Sequence, residues 1–230
     1  FDPLTERLAI DSLTLKAGKT TAALSGAIDL VVDGTGAVSG LNIDVVAEPV
    51  ALDMPELFAD GLAVERASFR GSFDFATRRV AIDQAVVRAG ALNAALSGEI
   101  APGEGSPAIR LDGQLGAMSF AELLAVWPLT VGDGARTWLS ENVFAGTMTG
   151  GTVHVDLAAG ALDEPRVANE AVKFDFGFEG VEADYITGLT HMTAGRGRAT
   201  VFGDRFEAHI DSAAVGDVQA SNGVVAIEDL

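Results

Sequence analysis

The sequence contains no cysteine, so it offers neither a disulfide framework nor a thiolate metal site. Its three histidines, His154, His191 and His209, stand far apart, and no two share a metal-ligand spacing. Basic residues are scarce: 15 Lys and Arg face 33 Asp and Glu, for a net charge of −18. A surface this acidic repels nucleic acid and anionic bilayers, which sets both aside as direct partners. No apolar run approaches the roughly 18 residues of a membrane-spanning helix, and no secretory leader pattern is present. The first residue, Phe1, falls inside a repeated unit, so the chain reads as a piece of a longer protein.

Catalytic patterns are equally sparse. No serine sits in a nucleophile elbow. Asp175, Glu179, Glu182 and Asp184 form an acidic run, but it lacks the ligand order of a calcium loop and reads as a solvated sheet face. Gly195-Arg196-Gly197-Arg198 resembles a fragment of a phosphate loop without its lysine-hydroxyl end, and a turn between strands is expected there. The expectation is a chain that is not an enzyme, with no cofactor and no metal.

What the chain does have is a repeat. Residues 1–30 and 73–102 align at a fixed offset of 72, with fifteen of thirty positions identical, among them Asp11/Asp83, Gly18/Gly90, Leu24/Leu96 and Gly26/Gly98. Chance in so biased a composition gives about two or three. Repeated units stack on their copies to bury a face that one unit cannot bury alone.

Within each copy apolar residues alternate, the mark of a half-buried strand. Leu8 and Ile10 alternate, then Leu13 and Leu15 on the opposite parity; Val80 and Ile82 are followed by Ala85 and Val87 in the same way. A parity change inside a strand needs a bulge, expected at Asp11-Ser12 and Asp83-Gln84. Ala17-Gly18 and Ala89-Gly90 read as hairpin turns. Return strands follow through Leu24, Gly26 and Ile28, and through Leu96, Gly98 and Ile100. Alternation recurs at 41–47, 69–75, 109–115, 153–157, 172–178, 199–201, 206–210 and 225–227, as in a meander of antiparallel hairpins.

One stretch departs from this pattern. Ser119 with Glu122 three residues on forms a capping box before an apolar run, and Pro128 marks the end of that helix. Asp133 can cap a second helix to about Asn142, with Ala135, Trp138, Leu139 and Val143 on one face. A shorter helix is expected at Pro55–Ala59. The chain therefore divides into a β-repeat segment (1–116), a helical hairpin (117–145) and a second β segment (146–230). Trp127 and Trp138 are candidate packing or interface anchors for that hairpin.

The stretches Trp127-Pro128-Leu129, Ala135-Arg136-Thr137-Trp138-Leu139-Ser140-Glu141-Asn142 and Gly146-Thr147-Met148-Thr149-Gly150-Gly151 resemble the AsmA-like superfamily, most closely its YhdP-like branch of Gram-negative envelopes. Tyr185 to Leu189, Gly195 to Phe206 and the closing Gly223 to Leu230 are similar to the same branch. The likeness covers roughly 120–230, and the first 116 residues match in style as β repeats. The resemblance implies a mainly β fold: an elongated, twisted antiparallel sheet of repeated hairpins curled into a groove, with the helical hairpin inserted near 118–145. It implies a non-enzymatic periplasmic segment of a parent anchored in the inner membrane, and a role in phospholipid transfer between inner and outer membranes. Its partners would be phospholipid acyl chains and proteins of the two membranes. The groove lining expected on this basis is Leu8, Ile10, Leu24, Ile28, Val80, Ile82, Leu96 and Ile100. Two alternatives stand beside it: the same face closed as a packed core, and a periplasmic β-repeat scaffold that docks a protein partner.

Overall fold

The alternating segments become strands of one sheet. A computed structural model describes residues 6–53, 55, 58, 61–127, 129, 133–164, 168–184, 191–203 and 205–228. In chain order they form β1 (Arg7–Ala17), β2 (Thr20–Val32), β3 (Val38–Leu52), β4 (Leu62–Val64), β5 (Arg66–Asp74), β6 (Arg79–Ala89), β7 (Leu92–Ala101), β8 (Ala108–Leu115) and β9 (Met118–Ser119). Two helices follow, α1 (Phe120–Val126) and α2 (Asp133–Asn142), and then β10 (Val143–Leu157), β11 (Val172–Ala183), β12 (Met192–Phe202), β13 (Arg205–Val215) and β14 (Val218–Ile227). The spatial order is β1-β2-β3-β5-β6-β7-β8-β10-β11-β12-β13-β14, with β4 on β3 and β9 on β10. Every joint is antiparallel, and β1 and β14 end the sheet without meeting. The fold is a twisted, curled, open antiparallel sheet carrying one helical insertion.

The two sequence copies are two hairpins of the same build. β1 pairs β2 and β6 pairs β7, closing at Ala17 opposite Thr20 and at Ala89 opposite Leu92. The register slips between Ile10 and Leu13, and again between Ile82 and Ala85, where the parity change demanded a bulge. Opposite each bulge stands a glycine with φ near +140°, Gly26 at 139° and Gly98 at 146°. A Cβ there would lie 2.2 Å from the Asp44 carbonyl oxygen or 2.0 Å from that of Arg110, so no other residue fits the close approach.

Packing is uneven along the sheet. The helices lie over one face of β10–β14, where Phe120, Leu123, Ala135 and Leu139 meet Met148, Phe176, Phe178, Val181, Met192 and Phe206. Met148 is fully buried. On β1–β8, by contrast, the described buried apolar residues are Ala27, Val64 and Ala89, none larger than valine. Val143, expected on the face of α2, instead opens β10, and residues 118–119 pair with β10 as β9.

Several expectations need correction or fall outside the described residues. Gly195-Arg196-Gly197-Arg198 is not a turn but the middle of β12. A Cβ on Gly197 would lie 2.0 Å from the His209 carbonyl oxygen, so that glycine serves a close strand approach. Of the short helix expected at Pro55–Ala59, only Pro55 and Phe58 are described. The capping side chain of Asp133, Pro128 and the Tyr185–Leu189 segment also lie outside the described residues.

α1 begins as its sequence requires. The Ser119 hydroxyl accepts from the Glu122 backbone N–H at 3.2 Å, and the Glu122 carboxylate accepts from the Ser119 N–H at 2.8 Å. The Ser119 hydroxyl, then its backbone N–H, holds the Glu122 carboxyl below its ordinary value. The charged form is thus favoured in the fold, so its contribution is present above the ordinary carboxylate pKa of about 4.3 and is lost as the pH falls through the lowered value. Ser119→Ala is expected to cost about 1 kcal/mol in urea unfolding at pH 7. The cost should shrink when the titration is repeated at pH 3.

Candidate functional site

Residues directly opposite each other on neighbouring strands share a face, so the register writes out the sheet's two surfaces. One row crosses all twelve strands of the main path: Leu13, Leu24, Ala47, Ala67, Val87, Ala94, Leu115, Gly151, Phe176, Ala199, Ala208, Val225. Not one member is polar. The next row runs from Ile10 through Gly26, Val45, Phe69, Ala85 and Leu96 and ends at Ile227. A third holds Leu8, Ile28, Ile43, Ile82 and Leu111, and a fourth Leu41, Phe73, Val80, Ile100 and Ile109. Rows two residues apart are separated by about 7 Å, so the apolar band is roughly 20 Å high.

All eight expected lining residues fall on this face. Leu24 is in the first row, Ile10 and Leu96 in the second, Leu8, Ile28 and Ile82 in the third, Val80 and Ile100 in the fourth. None belongs to the buried cluster beneath the helices. Leu8 is 42% exposed, Leu13 44% and Leu15 49%, and the other seven lining residues are half-buried. Over β1–β8 this face is therefore not a filled core. Over β10–β13 the helices cover much of it, around an apolar cavity of about 50 Å³ among Phe120, Leu139, Phe178, Met192, Phe206 and Ile210, while Val218 of β14 stays exposed.

Sequence reasoning named only the repeated hairpins as lining. Ile43 and Val45 of β3, Phe69 and Phe73 of β5, and Leu111 of β8 line the same rows. Their alternation was visible in the sequence, but their register with the hairpins was not.

The opposite face is wet. Arg7 pairs with Asp29, Arg70 with Asp44, Arg79 with Glu99, and Arg110 with both Glu99 and Asp156. Such exposed pairs add little stability, but they keep charge on one side of the sheet. Asp175, in the acidic run, bonds the Thr200 hydroxyl at 2.6 Å and Lys173 at 2.8 Å. The histidines are spread over the surface. His154 pairs with Asp112 at 2.8 Å, His191 with Asp184 at 2.9 Å, and His209 with Glu207 at 2.6 Å. Among the described residues no group of His, Asp and Glu is placed to hold a metal ion.

The two tryptophans face the sheet. Trp127 meets Phe174 edge-on with centroids 6.4 Å apart, and Trp138 lies over Phe206 at 5.4 Å. They pack the helical hairpin onto the apolar band where that band continues under it.

No family model, curated protein or solved structure matches this chain. Among the described residues no helix is long and apolar enough to cross a membrane.

Proposed function

We propose that the chain is a non-enzymatic lipid-conduit segment, periplasmic, within an AsmA-like protein, moving phospholipid between inner and outer membranes and so maintaining the outer-membrane barrier. The observation that carries this reading is the unbroken apolar band left uncovered across β1–β8. Exposing a sixteen-carbon acyl chain to water costs about 12 kcal/mol, at about 0.8 per methylene. A carrier has to cover that chain along its whole path. Seven main-path strands precede β10, and at about 4.8 Å each they span roughly 34 Å. That exceeds the reach of one acyl chain, which is about half of a 30 Å bilayer core. The lining is mostly aliphatic, with Phe69 and Phe73 of β5 set among Leu, Ile, Val and Ala, which suits sliding better than a pocket shaped for one ligand. Acyl chains would lie across the strands, with the headgroup left in water at the band's margin.

A protein-docking scaffold is the competing reading. Its natural anchors, Trp127 and Trp138, pack against Phe174 and Phe206 of the sheet, so both are engaged within the fold. The test is native mass spectrometry with lipid extraction on protein purified from a Gram-negative envelope. Co-purified phospholipid is expected. A folded protein free of lipid would defeat the conduit reading and favour the scaffold.

A further inference from the structure

Arg136 of α2 is half-buried, and no described carboxylate pairs with it. Most described arginines do pair with one; of the others, Arg78, Arg88 and Arg198 are exposed. The Arg136 Nε is shut off from solvent with no acceptor, the one such side-chain atom among the described residues. Its Nη2 donates to the Leu124 carbonyl at 3.4 Å, near the limit of a hydrogen bond. A guanidinium is all donor and no acceptor, so this one long bond leaves most of its capacity unused.

The bond to Leu124 does serve α1, whose last turn has no basic residue of its own and whose carbonyls favour a cation. It does not account for Nε. A lysine would serve the same carbonyl and bury no second donor. A buried charged donor without an acceptor costs stability, and in a chain with 33 acidic and 15 basic residues a carboxylate partner would be easy to supply.

The hairpin stands where the open part of the band stops. Trp127, the residue that closes α1, sets its ring against Phe174. Phe174 lies in the second row, reached from Leu96 through Gly113 and Val153. Leu92 of β7 and Leu115 of β8, with Leu124 and Trp127 of the hairpin, border the buried cluster and are themselves half-buried. An acyl chain lying across β5–β8 in that row therefore ends against an apolar wall. Arg136 reaches the wall at Leu124, within one helical turn of Trp127.

We propose that Arg136 binds the phosphate of a phospholipid whose acyl chains lie on the open band, so that the headgroup is held at the helical hairpin. This rests on the conduit reading of the band and adds the group that recognises the headgroup. Two guanidinium N–H groups match two oxygens of a phosphate diester. To present them, the side chain swings from between the helices and trades its long bond to Leu124 for charge-assisted ones. In a chain of net charge −18, a headgroup that also carries an ammonium, such as ethanolamine, is repelled less than a purely anionic one. Free phosphate offers the same oxygens but brings no chain to the band.

Fluorescence anisotropy on the full chain tests this with two ligands that carry the same labelled acyl chain, a phosphatidylethanolamine and a diacylglycerol. The parent is expected to bind the phospholipid about tenfold more tightly or better, the size of one hydrogen bond to a charged group. In Arg136→Gln that preference should disappear, while diacylglycerol, which offers Arg136 no phosphate, binds parent and variant alike. Arg136→Lys keeps the charge without the fork and should keep part of the preference. Millimolar inorganic phosphate should not displace the phospholipid. Circular dichroism melts confirm that each variant is folded. An Arg136→Gln that keeps the full preference overturns the proposal, as does a parent that binds both ligands equally; in either case the band still holds lipid and the conduit reading stands. Equal loss of both ligands in Arg136→Gln and Arg136→Lys would reduce Arg136 to a packing role and overturn it. Displacement by inorganic phosphate would assign Arg136 to a free anion and overturn it too. A parent that binds neither ligand defeats the conduit reading and this one with it.

Discussion

Leu96→Asp is expected to cut phospholipid recovered with the protein at least tenfold while the sheet stays folded. Leu96 sits in the second apolar row between Ala85 and Gly113, with its δ-methyl over the notch that Gly113 leaves. An acyl chain lying across the strands has to pass it. A carboxylate at that point must either shed water against methylenes or hold water in the path. An unpaired charge in an apolar environment costs several kcal/mol, and each 1.4 kcal/mol is a factor of ten. The fold loses much less. Leu96 is half-buried and outside the core cluster, so the lost burial costs about 1–2 kcal/mol. Ser97→Lys is the control. It puts a charge one residue away but on the wet face, opposite Asp112, and lipid recovery should not change. Normal lipid loading in Leu96→Asp would remove this row from the path. Loss in both variants would point to unfolding, which thermal melts would reveal.

The trough was partly legible in the sequence because β structure writes its faces with period two. The parity change at Asp11-Ser12 and its twin at Asp83-Gln84 announced a bulge twice, and the register slips at both. The capping box at Ser119 was local and therefore readable. What could not be read was pairing between distant segments. Nothing within β3 says that Val45 will stand between Gly26 and Phe69. Nor does alternation say whether a face is covered: Leu24 and Phe176 share a row, yet only Phe176 lies beneath the helices. The Gly195–Arg198 stretch shows the opposite hazard. Glycines there carry turn chemistry in sequence but serve close approach within β12, because a residue that fits a turn also fits wherever two backbones crowd.

Gly98→Ala is expected to be, with its twin Gly26→Ala, among the most destabilising single-methyl changes at the described glycines, at about 3 kcal/mol or more. Two penalties coincide at this site. Its φ of 146° lies where L residues are strained, which costs on the order of 1–3 kcal/mol. The added Cβ would also lie 2.0 Å from the Arg110 carbonyl oxygen and 2.9 Å from Leu111 Cα, so relief requires moving β8 away from β7. These atoms are backbone and cannot rotate aside as a side chain would. The comparison that isolates the effect is Gly18→Ala, at the hairpin turn with φ 62° and nothing within 4 Å of a new Cβ. It carries the conformational penalty alone, about 1 kcal/mol. Urea unfolding of both variants should separate them by about 2 kcal/mol or more. Equal losses would mean that the β7–β8 joint yields without cost. In that case the bulge would not be the rigid feature that sets the rows of the apolar band in line, and the band's continuity past β7 would need another cause.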